Sequence, residues 1–376
     1  MPLQLRSLIR PDGQLELSLV EMPQPEPATP DEVVLRVEAA PINPSDLGNL
    51  LAGAKLQEAR LSGSAERPVL TAPLPPAALA AAQRRLGTSM PVGNEGAGTV
   101  VAAGASPAAQ ALLGRRVAAL AGGGMYGEYQ SVPAAQCLLL PEGASAAEGA
   151  SCFVNPLTAL GMIETMHKDG HQSLLHTVGA SNLGQMLNRI CLKDGIPLIN
   201  LVRRPEQAAL LRGQGAQQVI DTSTPDFVAQ MTDALATIGT RLAFDATGGG
   251  PLIGQVLAAM EAALLRRPGT VYNRYGSGVH KQAYVYGFLQ RGPIELPPGF
   301  GFAFSLSGWL LFPFMQQLAP ERLAALKQRV ADELTTTFAS HYEREISLHD
   351  LLNPEALLTS GRLGTGQKTL LRLAAG

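Results

Sequence analysis

Two adjacent arginines, Arg203 and Arg204, close the apolar run Ile199–Val202. Two fixed positive charges at the end of a buried strand call for an anion. Upstream, the stretch "VGASNLGQ" follows another short apolar run, with Gly179 and Gly184 bracketing a turn. A strand, a glycine turn and an amphipathic helix in that order present backbone N–H groups and a helix N-terminus to a phosphate. Gly179, Ala180, Ser181, Asn182, Leu183 and Gly184 are therefore the candidates for holding a pyrophosphate. The middle position of the usual motif is not glycine here, so its place as the first of several βα turns is what carries the reading. Sheets that bind NAD carry an acidic residue at the tip of the second strand, bonded to the adenosine ribose 2′-hydroxyl. Here that tip holds the two arginines, and no acid occurs before Glu206. A carboxylate would repel a 2′-phosphate, whereas a guanidinium fork binds it through paired, charge-assisted hydrogen bonds. The expected cofactor is NADP(H).

Two further stretches belong to the same edge. "FDATGGG" ends a fourth expected strand, and its Thr247, Gly248 and Gly249 allow a backbone to approach a flat ring closely. "GTVYNRYG", 269–276, is expected to be the fifth strand, ending at Tyr275 and Gly276. In an open α/β sheet, ligands bind at the carboxyl ends of the strands, so ribose and nicotinamide are expected along these two tips.

The elements that position these residues alternate. Apolar runs at 173–178, 196–202 and 241–247 are separated by segments with helical spacing, often opened by proline and closed by glycine. Such alternation implies a parallel sheet with helices on both faces. The first half has a different texture: short, alternating runs broken by proline and glycine, as in a β domain. Residues 51–90 stand apart, rich in Ala, Leu and Pro. Their stretch "PPAALAAAQRRLG" carries helix start and stop signals, so a helical insertion is expected there. A helix at "PERLAALKQRVADEL" and a last strand at "QKTLLRL" close the chain.

The bulk numbers agree. At about 150 residues per domain, 376 residues suggest two domains. A 46% hydrophobic, 16% charged chain with 40 glycines is globular, not disordered. A net charge of −2 argues against a general nucleic-acid binder. Three scattered cysteines form neither a disulfide framework nor a zinc site. The N-terminus does not read as a signal peptide, and no apolar stretch is long enough for a membrane span. A cytoplasmic protein with no membrane partner is expected.

Taken together, "APINPSDL" (40–47), "GNEGAGTVVAAG" (93–104), "GGGMYGEY" (122–129), "VNPLTAL" (154–160), "GASNLG", "INLVRR", "FDATGG" and "GTGQKTLLRL" resemble the zinc-independent medium-chain dehydrogenases/reductases. The likeness is to their quinone oxidoreductase and 2-enoyl thioester reductase branches, and only 51–90 finds no counterpart. The resemblance implies a GroES-like β domain (1–155 and 316–376) with an inserted Rossmann doubly wound parallel-sheet domain (156–315). It implies a homodimer with the apolar 301–312 strand at the contact. It also implies that Asn43 and Thr158 line the nicotinamide and that Lys368 approaches the cofactor from the last segment.

Departures from the family pattern shape the expected chemistry. Where zinc relatives carry a cysteine and a histidine, this chain reads Ser45-Asp46 and Asn94, and an amide is a poor zinc ligand. No metal site is expected. The family's proton-donating tyrosine after the NPSD loop is missing from "LLAGAKLQEA": the role is vacant or has moved, with Tyr126 the candidate replacement against a packing or surface role for it. The expected reaction is metal-free hydride transfer from NADPH to a quinone or conjugated carbonyl, with Asn43 among the donors meeting the developing oxyanion. Two alternatives stay open: a 2-enoyl thioester reductase, and a non-catalytic NADPH-binding sensor. The insertion 51–90 is expected to cap the substrate pocket.

Overall fold

The structure is a computed structural model that describes residues 1–271, 273–290, 292–361, 365–366 and 368–373. Its contacts divide the chain into two units: 1–154 with 327–376, and 155–326. The return to the first unit falls inside the helix Pro320–Asp332.

The first unit is built on two sheets. One contains β1 (Leu3–Ile9), β2 (Gln14–Glu21), β4 (Arg60–Gly63), β5 (Pro68–Pro73) and β6 (Ser89–Pro91), in the order β4-β5-β2-β1-β6. The other contains β3 (Glu32–Pro41), β7 (Glu95–Ala103), β8 (Arg116–Leu120), β9 (Tyr129–Pro133), β10 (Cys137–Leu139), β17 (Arg344–Ser347) and β18 (Thr369–Arg372). β18 pairs antiparallel with β3, Leu371 opposite Ala40, so the end of the chain completes a sheet begun near its start. Leu5, Leu15, Leu17, Leu35, Val37 and Leu70 are fully buried in the core of this unit.

Within 51–90 the helix expected at 75–87 is present as Pro76–Ala81 with a 3-10 turn at Gln83–Arg85, but its flanks are strands and not loops. β4 and β5 form a hairpin whose inner strand pairs with β2, Leu70 opposite Leu17. Only Pro76–Ala81 is α-helical, and β6 then pairs with β1. β5 alternates buried and half-buried residues, the period-2 pattern of a strand with one covered face, so the segment contributes to the unit's core.

The second unit is one parallel sheet of β11 (Leu174–His176), β12 (Leu198–Val202), β13 (Gln218–Asp221), β14 (Leu242–Asp245), β15 (Lys281–Val285) and β16 (Phe304–Gly308). Their order is β13-β12-β11-β14-β15-β16, which counted within the sheet is 3-2-1-4-5-6. That is the doubly wound order, with its switch point between β11 and β14. The helices Asn182–Asp194, Pro205–Gly213, Phe227–Ile238 and Leu252–Leu265 connect the strands. Among the described residues no helix is long and apolar enough to cross a membrane.

The fifth strand is not 269–276. That stretch is a loop, and the strand is Lys281–Val285. Gly276 and Gly278 adopt φ of 101° and 70°, a left-handed backbone that a strand cannot continue through. Tyr275 and Gly276 thus precede β15 at its amino end, opposite to the edge expected for them. Tyr272, within that stretch, and Gln367, which opens the expected last strand, lie outside the described residues.

Candidate functional site

At the carboxyl edge of the second unit, β11 runs into the glycine turn. Ser181, in place of the middle glycine, has φ −66° and caps the helix Asn182–Asp194, its hydroxyl accepting from the Gly184 N–H at 3.0 Å. The backbone there suits a side chain, so glycine is not required at this position. At Gly184 it is required, since a Cβ would collide with the Gly179 carbonyl. At Gly179 a Cβ would come within 2.8 Å of the Asn200 side-chain oxygen. Val178 sits at φ 57°, a strained conformation for a β-branched residue at the turn itself.

Arg203 and Arg204 follow β12 directly, and both are exposed. The Arg203 N–H donates to the Gln207 side chain at 3.0 Å. Arg204 is the extended residue preceding the helix Pro205–Gly213. Among the described residues neither guanidinium makes an ion pair, so both remain open to an external anion.

The tip of β14 is organised by Asp245, which is fully buried and was missed in the sequence. Its carboxylate accepts from the Thr177 hydroxyl (2.8 Å), the Thr247 N–H (3.0 Å), the Thr247 hydroxyl (2.7 Å) and the Gly248 N–H (3.0 Å). An Asp whose side chain meets the N–H two residues on is a turn signal that could have been read. Gly248, at φ 65°, and Gly249 admit a neighbouring backbone: Leu289 N–H donates to Ala246 O and Gln290 N–H to Thr247 O. The close approach these glycines allow is therefore to the protein's own residues Gly287, Phe288, Gln290 and Gly292. Next to this tip, Tyr286 follows β15, and its hydroxyl lies 2.7 Å from Nε2 of His176. His176 is fully buried, and burial drives its pKa down to about 3, so it is neutral. Thr158 is buried on the helix Val154–Lys168 of the same unit.

In the first unit the family-like residues form a buried charged cluster. Asn43 is 2% exposed and donates its amide to Glu95 Oε1 at 2.6 Å. The other Glu95 oxygen accepts from the Phe153 and Val154 N–H groups at 2.9 and 2.8 Å. Asp46 accepts from the N–H groups of Asn43 (2.8 Å) and Asn94 (2.9 Å). Burial drives the Asp46 carboxyl up to about 7 against these donors, with Glu95 adding to the rise. Glu95 is also raised by burial, while Lys368 opposes the shift. Lys368 is lowered to about 8 by burial, with Glu95 and Asp46 working the other way. Its ammonium is shut off from solvent, has no hydrogen-bond partner among the described residues, and lies 5.8 Å above the Tyr342 ring.

Two expectations about this cluster change. Tyr126 is not a proton donor for substrate: it is fully buried in the core and its hydroxyl donates to the Pro41 carbonyl at 3.0 Å. Gly93, at φ 90°, leaves the space the ring fills, and a Cβ there would strike it. Burial beside Asp46 also holds the Tyr126 phenol well above its usual range. Asn43 faces inward, and its atom without a partner among the described residues is Oδ1, an acceptor that cannot stabilise an oxyanion. Asn94 and Ser45, at the zinc relatives' ligand positions, lie 3.3 Å apart as a hydrogen-bonded amide and hydroxyl.

Residues 29–142 match the alcohol dehydrogenase GroES-like domain. Among curated proteins, the chain is 30% identical over 159 residues to the synaptic vesicle membrane protein VAT-1 homolog of Rattus norvegicus, 42% of this chain and 39% of that protein. It is 31% identical over 147 residues to a quinone oxidoreductase of Pseudomonas aeruginosa, 38% of this chain and 45% of that one. The match thus spans about two fifths of the length of these curated relatives. Among solved structures, a candidate NADPH:quinone reductase from Mesorhizobium loti superposes with a TM-score of 0.72 at 25% identity, covering 99% of this chain and 98% of that one. A GroES-like domain joined to a doubly wound parallel sheet is the architecture of the medium-chain dehydrogenases/reductases. By these likenesses the chain is similar to members of that class, quinone oxidoreductases among them.

Proposed function

We propose that this protein is an NADPH-dependent oxidoreductase that transfers a hydride to a quinone or conjugated carbonyl without a metal. The observation that carries the reading is the tip of β12, where two open guanidinium groups stand in place of a carboxylate. The residues present suit a phosphorylated dinucleotide. The turn 179–184 is packed as a phosphate turn requires, and Arg203 and Arg204 suit the 2′-phosphate. The orphaned Lys368 ammonium suits an anionic group of the bound cofactor. Thr158, Thr247 and Gly248 are proposed along the rest of the molecule. Bound NADPH would supply the hydride. Asp245 and its four donors would keep the β14 tip rigid beneath it. Similarity to a quinone oxidoreductase supports this substrate class over enoyl thioesters.

A homodimer fits the same reading. β16 ends the sheet with one unpaired side, and Phe302 (78% exposed) and Leu310 (65%) flank it. A second copy is the proposed occupant, and sedimentation equilibrium checks it: a monomer at micromolar concentration contradicts it. The three free, buried cysteines suit the cytoplasm as its setting. The activity itself is tested by following NADPH oxidation against a panel of quinones and enones. Turnover of at least one member is expected, and none with any member would overturn the assignment.

A further inference from the structure

With Tyr126 buried and committed, another group must meet the oxygen on which charge develops. Among the described tyrosines, Tyr286 is the one that directly follows a strand of the parallel sheet at its carboxyl edge. It is partly exposed, while His176 behind it is fully buried. Its backbone is fixed by the bond from its N–H to the Asp245 carbonyl at 2.9 Å. The two rings stack, centroids 5.8 Å apart at 23°.

The direction of the 2.7 Å hydrogen bond between them decides what Tyr286 can do. A neutral imidazole carries one proton. His176 Nδ1 is buried and has no partner among the described residues. If the proton sat on Nδ1, a buried N–H donor would go unmet, the rarer and costlier omission. With the proton on Nε2, His176 donates to the Tyr286 oxygen and the unmet atom is a lone pair. The phenolic proton is then not committed to the histidine and is left for another acceptor.

We infer that Tyr286 is the hydrogen-bond donor to the substrate oxygen at this edge, with His176 as the residue that positions it. The inference rests on the proposed reductase reading. As a hydride reaches the substrate's electron-poor carbon, an electron pair moves onto the carbonyl oxygen, and the Tyr286 O–H meets it. Water then supplies the proton that completes the product, so Tyr286 keeps its own. Burial near Asp245 raises the Tyr286 pKa, which keeps the donor protonated across the working range. A donor matters most to the most basic oxyanion, so an enone depends on it more than a quinone does.

The test uses the full chain with Tyr286→Phe, His176→Leu and His176→Gln. Removal of one such donor costs on the order of 10²–10³ in kcat. Tyr286→Phe is expected to lower enone kcat about 100-fold, to lower quinone kcat less than about 10-fold, and to leave NADPH affinity by fluorescence titration within about 2-fold. His176→Leu should behave like Tyr286→Phe, and His176→Gln, which retains an N–H donor, should recover most of the rate. An undiminished enone rate in Tyr286→Phe, or equal losses for both substrate types, overturns the inference. Nitrogen-15 NMR of the wild type reads the His176 tautomer without any turnover. Nε2–H is expected and Nδ1–H overturns the inference, whereas wild type inert toward every substrate overturns the reductase reading instead.

Discussion

Lys368 is the residue whose placement is hardest to justify on stability alone. A buried ammonium with no hydrogen-bond partner among the described residues is a cost to the fold. Its folded pKa, about 8, lies below that of a free lysine. Between pH 8 and the ordinary lysine pKa, the unfolded chain binds a proton that the folded one does not, so this group adds stability as pH rises and subtracts it at pH 7. Lys368→Met should therefore stabilise the protein at pH 7, by about 1–3 kcal/mol at 1.36 kcal/mol per pKa unit, discounted for its partly exposed stem. The gain should shrink toward pH 10. The same variant should bind NADPH at least about tenfold more weakly, a loss of roughly 1.4 kcal/mol. Denaturation and fluorescence titration at the two pH values check both signs, and a variant that loses stability at pH 7 without losing affinity would show a structural lysine. Arg203 and Arg204 were legible in the sequence because they sit beside a recognisable strand. The fate of Tyr126 was not, because its burial comes from Gly93 and from the Pro41 carbonyl, neither of which lies next to it in the chain.

The elements show the same division between local and distant causes. The alternation of strands and helices from β11 to β14 could be read because each strand is an uninterrupted apolar run bounded by turn residues. β15 was misplaced because its sequence, "KQAYV", opens on a lysine. Lys281 is fully buried and pairs with Glu261 of the helix Leu252–Leu265 at 2.6 Å, a partner 20 positions away that no local pattern reveals. The helix signals of 75–87 could be read locally, whereas the β4–β5 hairpin before it could not, because its place depends on pairing with β2. If that hairpin is part of the core, Leu70→Ala should cost about 2–5 kcal/mol, because Leu70 is fully buried against β2. Urea denaturation should show a lower midpoint at an unchanged slope. A loss below about 1 kcal/mol would mean that the segment is an appendage after all.

On the scale of the whole molecule, the two units have unequal tasks. The first returns the end of the chain to its beginning through β18 and β3 and buries three ionisable groups, Asp46, Glu95 and Lys368, in one cluster. The second holds the glycine turn 179–184, the arginine pair and the His176–Tyr286 pair along one edge of one sheet. The general architecture was legible from residues 93–104, 179–184 and 199–204, whose spacing is tied to backbone geometry. The catalytic donor was not, since it depends on which tautomer a buried histidine adopts. The central claim is that the open guanidinium pair at β12 selects a phosphorylated adenosine. Equilibrium titration of NADPH and NADH against the wild type and Arg203→Ala/Arg204→Ala tests it most directly. NADPH should bind at least about tenfold tighter to the wild type, from roughly 1.5–3 kcal/mol per charge-assisted bond, and the double variant should lose that preference. Equal or tighter binding of NADH by the wild type, or binding of neither, would contradict the account.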